Sequence, residues 1–242
     1  MSRIALVTGG TGGIGKAIVN TLVEDGMKVA FTYNSNTEES EEIEGRFGRD
    51  RTKAFKCDIS NTDEIKKLVD DVSSAFGTVE VLVNNAGISK NRLVLRTSME
   101  DWKRVIEVNL DGAFALTQAI LPGMIKKRWG RIIFVSSVAG LMGNVGQASY
   151  ASSKAALVGL AKTVAREVSS RSITCNVVAP GLINTTMTRE IREEYMKRLM
   201  EIIPLKRLGT PEEVASLVSY LSGDTASYIT GQVLVVDGGL SM

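Results

Sequence analysis

The sequence predicts an α/β fold, a single doubly wound domain in which a parallel sheet of seven strands carries helices on both faces. Two observations predict it. Short apolar runs alternate with longer helical patterns along the 242 residues, and most of the runs are continuous, as in strands buried on both faces. Because no Pro- or Ser-rich linker and no repeat interrupts this order, we expect one domain over residues 1–242.

Seven apolar runs are the predicted strands. They occupy residues 4–7, 29–33, 54–55, 79–83, 132–135, 173–179 and 233–236. Helix-start signals lie between them. Thr210, followed by a proline and then by Glu213, is typical of a capping box, and Ser60 with Asp63 and Ser98 with Asp101 also resemble capping boxes. Gly26 is expected to end the helix that begins near residue 13.

The composition excludes several classes of function. Hydrophobic residues make up 44% of the chain and charged residues 23%, as in an ordinary soluble globular protein. The formal net charge of +2 is too small to indicate a nucleic-acid partner. Cys57 and Cys175 are far apart in sequence and predict neither a disulfide framework nor a zinc site. The chain has no histidine, which excludes Ser-His-Asp hydrolysis and histidine-ligated metals, and no metal is predicted.

The sequence gives no indication of a membrane partner. No stretch approaches 18 consecutive apolar residues, so no transmembrane helix is expected. The first ten residues lack the apolar core of a signal peptide. We therefore expect a cytoplasmic protein.

A glycine-rich turn joins the first predicted strand to the first helix. It comprises residues 8–15, Thr-Gly-Gly-Thr-Gly-Gly-Ile-Gly. Glycines at such a turn let the backbone approach a pyrophosphate closely, and the helix N-terminus offers free N–H groups and a positive dipole end. With a second strand about 20 residues further on, this context predicts a Rossmann-type dinucleotide site; a purely structural turn is the alternative.

A second group of residues indicates carbonyl chemistry. Tyr150 and Lys154 are four residues apart and share one helix face. An ammonium there is expected to lower the tyrosine pKa from about 10 toward neutrality, and such a tyrosine can be the general acid for a carbonyl that is being reduced. Ser137 ends a buried strand, so its hydroxyl can point into the crevice at the carboxyl edge of the sheet. Each residue also has an alternative interpretation: Tyr150 as a packed ring, Lys154 as a solvated helix charge and Ser137 as a helix or turn cap.

Together these motifs resemble the short-chain dehydrogenase/reductase family. The resemblance spans residues 4–239 and adds the Asn-Asn-Ala-Gly sequence of residues 84–87, Asn109 and the Pro-Gly pair at 180–181. It implies that Tyr150 donates a proton to the carbonyl oxygen and that Ser137 hydrogen-bonds this oxygen. It also implies that Lys154 tunes Tyr150 and binds the nicotinamide ribose, and that Asn109 distorts its helix to support a water relay to Lys154.

The family resemblance also implies a set of cofactor-binding residues. They are Gly9, Thr11, Gly12, Gly13, Ile14, Gly15, Tyr33, Asn34, Ser35, Asp58, Ile59, Asn85, Ala86, Gly87, Tyr150, Lys154, Pro180, Gly181, Ile183 and Thr185. The second strand ends near Tyr33 without the acid that would bind the ribose hydroxyl of NAD, and Asn34 and Ser35 could accept a 2′-phosphate. The missing acid and these polar residues favour NADPH over NADH as the cofactor, although Gly12 stands where many NADPH-using relatives carry arginine.

Within the family, the chain is most similar to 3-oxoacyl-[acyl carrier protein] reductases, in residues 143–150, 176–181 and 204–209. This similarity implies NADPH-dependent reduction of a carrier-bound 3-oxoacyl thioester in fatty acid synthesis. Arg128 and Arg171 correspond to arginines that dock the acidic carrier protein, and we expect them beside the active-site entrance; ordinary solvated charges are the alternative. Acetoacetyl-CoA reductases, which share the Thr-Gly-Gly-x-Gly-Gly loop, are the second candidate. A non-catalytic NADP(H) sensor is a remote third.

Two further expectations concern a lid and the assembly. Residues 186–206 are predicted to form a lid over the substrate. The family resemblance implies a homotetramer built from the long helices around Asn109 and Tyr150 and from the C-terminal strand.

Overall fold

A computed structural model describes residues 2–189 and 193–242. Within these ranges the strands form one seven-stranded parallel sheet in the order β3-β2-β1-β4-β5-β6-β7. The strands are β1 (Ile4–Val7), β2 (Lys28–Tyr33), β3 (Thr52–Lys56), β4 (Val81–Asn84), β5 (Gly130–Val135), β6 (Ile173–Pro180) and β7 (Val233–Val236). The order reverses between β1 and β4, and a crevice at such a reversal is the usual ligand site of a doubly wound sheet. The predicted fold class is confirmed.

Helices cover both faces of the sheet. They are α1 (Gly13–Glu24), α2 (Thr37–Phe47), α3 (Thr62–Ala75), α4 (Met99–Ile106), α5 (Gly112–Lys127), α6 (Ala139–Met142), α7 (Ala148–Val168), α8 (Thr186–Arg189), α9 (Glu193–Ile202) and α10 (Pro211–Ser222). The apolar sides of α3, α5 and α7 pack on one face, and those of α1 and α10 pack on the other. Successive residues of one strand serve opposite faces, as Leu6 and Val7 do, which explains why the strand sequences are continuously apolar.

Five of the seven predicted strands differ from the observed ones by one or two residues at an end, and β3 and β4 show why. The third strand runs from residue 52 to 56 rather than over 54–55, because every one of these residues pairs with β2 although several are polar. The fourth begins at Val81, whereas the predicted strand began at Val79. Val79 is buried against the core before the strand starts, so an apolar pattern alone cannot exclude it from the strand.

Of the three predicted capping boxes, one is complete, one has only the bond to the N-cap side chain, and one is wrong. Thr210 forms a reciprocal capping box with Glu213, and the Ser98 hydroxyl accepts the first-turn N–H of Asp101 at 3.0 Å. The N-cap of α3 is Asn61 rather than Ser60, because the Ser60 hydroxyl donates to a neighbouring carboxylate. As predicted for the other end of a helix, α1 stops just before Gly26, which has a φ of 88°.

The predicted lid segment, residues 186–206, contains α8 and α9, while residues 190–192 lie outside the described residues. Its base is fixed to the C-terminal turn, since Ile203 is buried and the N–H of Leu205 donates to the Gly238 carbonyl at 3.1 Å. Its role as a lid stays a prediction. No helix in the described ranges has the length and apolarity that a membrane crossing requires.

Candidate active site

A cleft opens at the carboxyl edge of the sheet, over the reversal between β1 and β4. Every residue that the sequence predicts as a cofactor contact lines it, and so does Ser137. Parallel strands bring these residues together because their carboxyl ends meet at one edge. Among the predicted catalytic residues, Asn109 is the exception, since it is buried behind the cleft wall.

The glycine turn forms the floor of the cleft at the level of the backbone. Gly9 has a φ of 66°, a conformation that side-chain-bearing residues rarely adopt. A methyl group on Gly13 would approach the Thr185 side chain within 2.8 Å. The turn is held from behind by Asn85, whose amide donates to the carbonyls of Thr8 at 2.9 Å and of Gly9 at 3.2 Å. The loop therefore fits a pyrophosphate, which must approach the backbone and the N-terminus of α1 without side chains in between.

Asp58 is fixed at the far end of the cleft, after β3. Its carboxylate accepts the backbone N–H and the hydroxyl of Ser60 at 2.9 and 2.6 Å, and Arg104 donates to it at 3.1 Å. Partial burial alone would raise the pKa of Asp58, but the hydrogen bonds from Ser60 and Arg104 outweigh it and the pKa is lowered. The group is therefore an ionised acceptor at neutral pH, which suits an amino group of an adenine ring.

Ser137, Tyr150 and Lys154 meet on the opposite side of the cleft. Ser137 follows β5, and its Oγ accepts the N–H of Ala139 at 3.1 Å. Tyr150 and Lys154 share the cleft-facing side of α7, with the lysine Nζ 5.7 Å from the centre of the tyrosine ring. The Nζ donates to the carbonyl of Val135 at 2.8 Å, so the ammonium is anchored to the end of β5.

The electrostatics of this group differ from the sequence expectation. Burial raises the pKa of Tyr150 above its usual value, and the interaction with the Ser137 hydroxyl offsets this only in part. Burial also lowers the pKa of Lys154 to about 8. The expected lowering of the Tyr150 pKa by Lys154 is wrong, because the ammonium is turned toward the Val135 carbonyl. Tyr150 thus keeps its proton at neutral pH, as a general acid must.

Asn109 occupies a five-residue π-helical turn, Glu107–Asp111, between α4 and α5. Its side-chain oxygen accepts the N–H of Ile88 at 2.8 Å, and its amide donates to the Ile88 carbonyl and to the Ser153 hydroxyl, both at 3.0 Å. The side-chain oxygen of Asn109 and the Nζ of Lys154 both lie 3.2 Å from the position that a methyl group on Gly87 would take. The helix distortion is present as expected, and the two polar groups flank the same point of the cleft wall.

The chain matches a family model and several named proteins over nearly its full length. Residues 9–241 match a family model described as enoyl-(acyl carrier protein) reductase. The chain is also similar to proteins named 3-oxoacyl-[acyl-carrier-protein] reductase FabG. It is 45% identical to that of Vibrio cholerae over 99% of this chain and 98% of the relative. It is 42% identical to that of Staphylococcus epidermidis over the full length of both.

The chain belongs to the short-chain dehydrogenase/reductase family. The relative from Escherichia coli, 44% identical over 99% of this chain, carries the same printed name as the two above. The resemblance inferred from the sequence motifs is confirmed. Members of this family are nicotinamide-dependent oxidoreductases, and the cleft has the backbone floor that such a cofactor requires.

In this reductase chain, Arg128 and Arg171 lie far from the cleft. Both are exposed. Arg128 ends α5 two residues before β5, and Arg171 ends a short 3₁₀ turn two residues before β6. Both therefore lie at the amino edge of the sheet, about 20 Å from the carboxyl edge for a six-residue strand. The expectation that they flank the active-site entrance is wrong within one chain. They are neighbours of each other, since Gly130 and Ile173 are paired in register.

Sequence reasoning missed several residues that line the cleft. They include Thr32, Asn36, Cys57, Ile88, Arg104, Val135, Ser136 and Thr188. Most of them adjoin predicted contacts in the chain, so extending each motif by one or two residues would have found them. Arg104 is different, because it reaches the cleft from α4 and forms its contacts across 46 residues of sequence. No local pattern indicates such a pairing.

The pKa of Lys154 gives a testable pH dependence of stability. Between pH 8 and the ordinary lysine value of 10.5, the folded chain has lost this proton and the unfolded chain still holds it. The unfolded state then binds more protons, so the free energy of unfolding rises with pH in this window. Lys154→Met removes the contribution. The difference in unfolding free energy, wild type minus variant, should increase by roughly 3 kcal/mol across the window.

Denaturant unfolding of both proteins over that pH range measures this difference. Groups far from Lys154 contribute equally to the two proteins and cancel. A difference that stays constant with pH would show that burial does not lower the pKa of Lys154.

Proposed function

We propose that this chain reduces a 3-oxoacyl thioester, carried by acyl carrier protein, to the 3-hydroxyacyl thioester of fatty acid synthesis. Identities of 42–45% over nearly the full length of proteins named for this reaction carry the proposal. The cleft supports it, because Ser137, Tyr150 and Lys154 converge there beside a floor suited to a dinucleotide. The proposed location is the cytoplasm.

The proposed chemistry combines a hydride with a proton. A reduced nicotinamide supplies the hydride when it is bound. Tyr150 supplies the proton to the carbonyl oxygen, and the raised pKa of its phenol keeps that proton in place until the oxygen becomes basic. Ser137 donates a hydrogen bond to the same oxygen and stabilises the negative charge that develops there.

Lys154 and Asn109 support Tyr150. With a pKa of about 8, Lys154 is mostly cationic at neutral pH. We propose that its ammonium turns from the Val135 carbonyl toward Tyr150 after the proton has left and then stabilises the phenolate. Its ammonium also has donors available for ribose hydroxyls. Asn109 holds the π-helical turn against Ile88 and Ser153, and we propose that this turn supports the water through which a proton returns to Lys154.

NADPH is the proposed cofactor. The argument rests on the end of β2, where Tyr33 stands in place of the carboxylate that would accept a bond from the ribose 2′-hydroxyl. Asn34 and Ser35 are exposed beside it and offer polar groups to a 2′-phosphate. The remaining proposed contacts lie along the cleft, with Asp58 and Ile59 at the adenine and residues 180–185 at the nicotinamide.

The proposed partners are acyl carrier protein and further copies of this chain. Arg128 and Arg171 can serve a carrier only where an assembly places the amino edge of one chain beside the cleft of another, and a homotetramer could do so. Acetoacetyl-CoA reduction is the second candidate function. The distance of both arginines from the cleft favours it, because a CoA thioester needs no docking surface for a carrier.

Replacing Tyr150 by Phe tests the proposed proton transfer. Tyr150→Phe should lower kcat with a 3-oxoacyl thioester by at least about 100-fold, the scale of lost general acid catalysis. The dissociation constant of NADPH should change by no more than a few-fold, because the ring remains. Tyr228→Phe is the matched control, since this ring is fully exposed. Turnover of the Tyr150 variant at the level of the control would contradict the assignment.

Replacing Tyr33 by Asp tests the proposed cofactor. The wild type should show a higher kcat/KM with NADPH than with NADH. Tyr33→Asp should reduce this ratio by at least about tenfold, because a carboxylate repels a 2′-phosphate and accepts a bond from a 2′-hydroxyl. Tyr33→Asn introduces a side chain of the same size as aspartate but without its charge, and should keep most of the preference for NADPH. A wild type that prefers NADH would overturn the proposal of NADPH.

A further inference from the structure

An ion cluster joins the first turn of α1 to the first two turns of α2. The ammonium of Lys16 forms an ion pair with Glu39 and a second one with Glu42, the latter at 3.4 Å. The Lys16 side chain is one-third exposed, so a ligand can reach it. The pKa of Lys16 is raised, chiefly by its hydrogen bond to Glu39, so the ammonium stays charged at every physiological pH.

Lys16 is placed to extend over the glycine turn. It follows Gly12 by four residues, and its N–H donates to the Gly12 carbonyl at 2.6 Å, so the two residues are stacked in one helical turn. The ammonium itself lies at Glu39 and Glu42. Because side chains of a helix lean toward its N-terminus, Lys16 can reach back toward Gly12 when it leaves these carboxylates. A methyl group on Gly12 would meet only the Gly9 carbonyl oxygen, at 3.6 Å. The space above Gly12 is therefore open for a charged group that reaches in from the next turn.

The helix that carries these carboxylates begins beside the ribose end of the cleft. Glu39 lies in the first turn of α2, and its N–H donates to the side chain of Asn36, which lines the cleft two residues after Asn34. Among the described residues that line the cleft, the cations are Arg104 and Lys154. Arg104 holds Asp58 and Ser60 in the proposed adenine contact, and Lys154 is anchored on the catalytic side of the cleft. Lys16, by contrast, can leave its carboxylates without disturbing a proposed cofactor contact.

We propose that Lys16 is the cation that recognises the 2′-phosphate of NADPH and that Glu39 and Glu42 compete with this phosphate for its ammonium. The inference rests on the proposed function, specifically on NADPH as cofactor. Binding exchanges a carboxylate counter-ion for a phosphate. The two glutamates therefore weaken phosphate recognition and set how strongly the chain discriminates between the two nicotinamide cofactors.

Two nucleotides without a nicotinamide isolate this recognition. Adenosine 2′,5′-bisphosphate carries the 2′-phosphate and adenosine 5′-monophosphate lacks it, and titration calorimetry gives both dissociation constants. Lys16→Met should weaken binding of the bisphosphate about tenfold and change binding of the monophosphate less than about twofold. Lys16→Arg should retain the preference. Lys67→Met, which removes an exposed, ion-paired lysine of α3, should change neither constant.

The glutamates provide the opposite test. Glu39→Gln should tighten binding of the bisphosphate roughly threefold, because the ammonium no longer has to leave this carboxylate. Glu41→Gln removes the same charge from the same helix and should have a smaller effect, which separates release of Lys16 from a general change in the field. Thermal melting establishes that each variant is folded, and Glu39→Gln decides the matter if Lys16→Met does not fold.

The proposal is overturned if Lys16→Met weakens both nucleotides equally or neither, or if Glu39→Gln and Glu41→Gln act alike. These outcomes are distinct from failure of the proposed function. The nucleotides bind without turnover, so a chain that fails to reduce 3-oxoacyl thioesters can still show the Lys16 effect. An active enzyme that lacks the effect contradicts only the assignment of Lys16.

Discussion

The pairing of β1 with β4 is the constraint on which the rest of the cleft depends. At this reversal of strand order, the backbone groups just beyond both strands need partners, since buried polar groups are costly when unpaired. Thr8 and Asn85 provide them for each other. The Thr8 hydroxyl accepts the N–H groups of Asn85 and Ala86 at 3.0 Å, and the Asn85 amide returns bonds to the glycine turn. The same hydrogen bonds thus set the floor of the cofactor cleft and begin the wall behind it.

That wall extends to the residues proposed for proton transfer. Asn109 ties the segment after β4 to α7 through Ile88 and Ser153, and the Ser136 hydroxyl donates to the Lys154 carbonyl at 2.7 Å. The α7 helix is therefore bound to the ends of two neighbouring strands, and this fixes Tyr150 and Lys154 relative to the glycine turn. Burial of the lysine opposes its charge, which explains how rigid positioning also produces a shifted pKa.

Sequence patterns predicted most of the fold because the central strands are buried on both faces and therefore continuously apolar. They failed where burial was partial, as in β3, whose terminal Lys56 is exposed although it belongs to the strand. They failed again where two candidates compete for one role, as with Ser60 and Asn61. The sign of the Tyr150 pKa shift depends on where the Lys154 ammonium turns, and spacing alone does not give that direction. The position of Arg128 and Arg171 was accessible in principle, because both immediately precede strands that point toward the cleft.

Reduction of a carrier-bound 3-oxoacyl thioester in this cleft is tested most directly by comparing two substrates. The rate of NADPH oxidation is measured with the same 3-oxoacyl group attached to acyl carrier protein and to CoA, with the 3-hydroxyacyl product identified in each case. We expect NADPH to be consumed in step with formation of the product, and kcat/KM to be higher for the carrier-bound substrate. A higher kcat/KM for the CoA thioester would show that the chain acts on CoA thioesters, as an acetoacetyl-CoA reductase does, and not on carrier-bound ones. Binding of NADPH without oxidation by either substrate would contradict the assignment as a reductase.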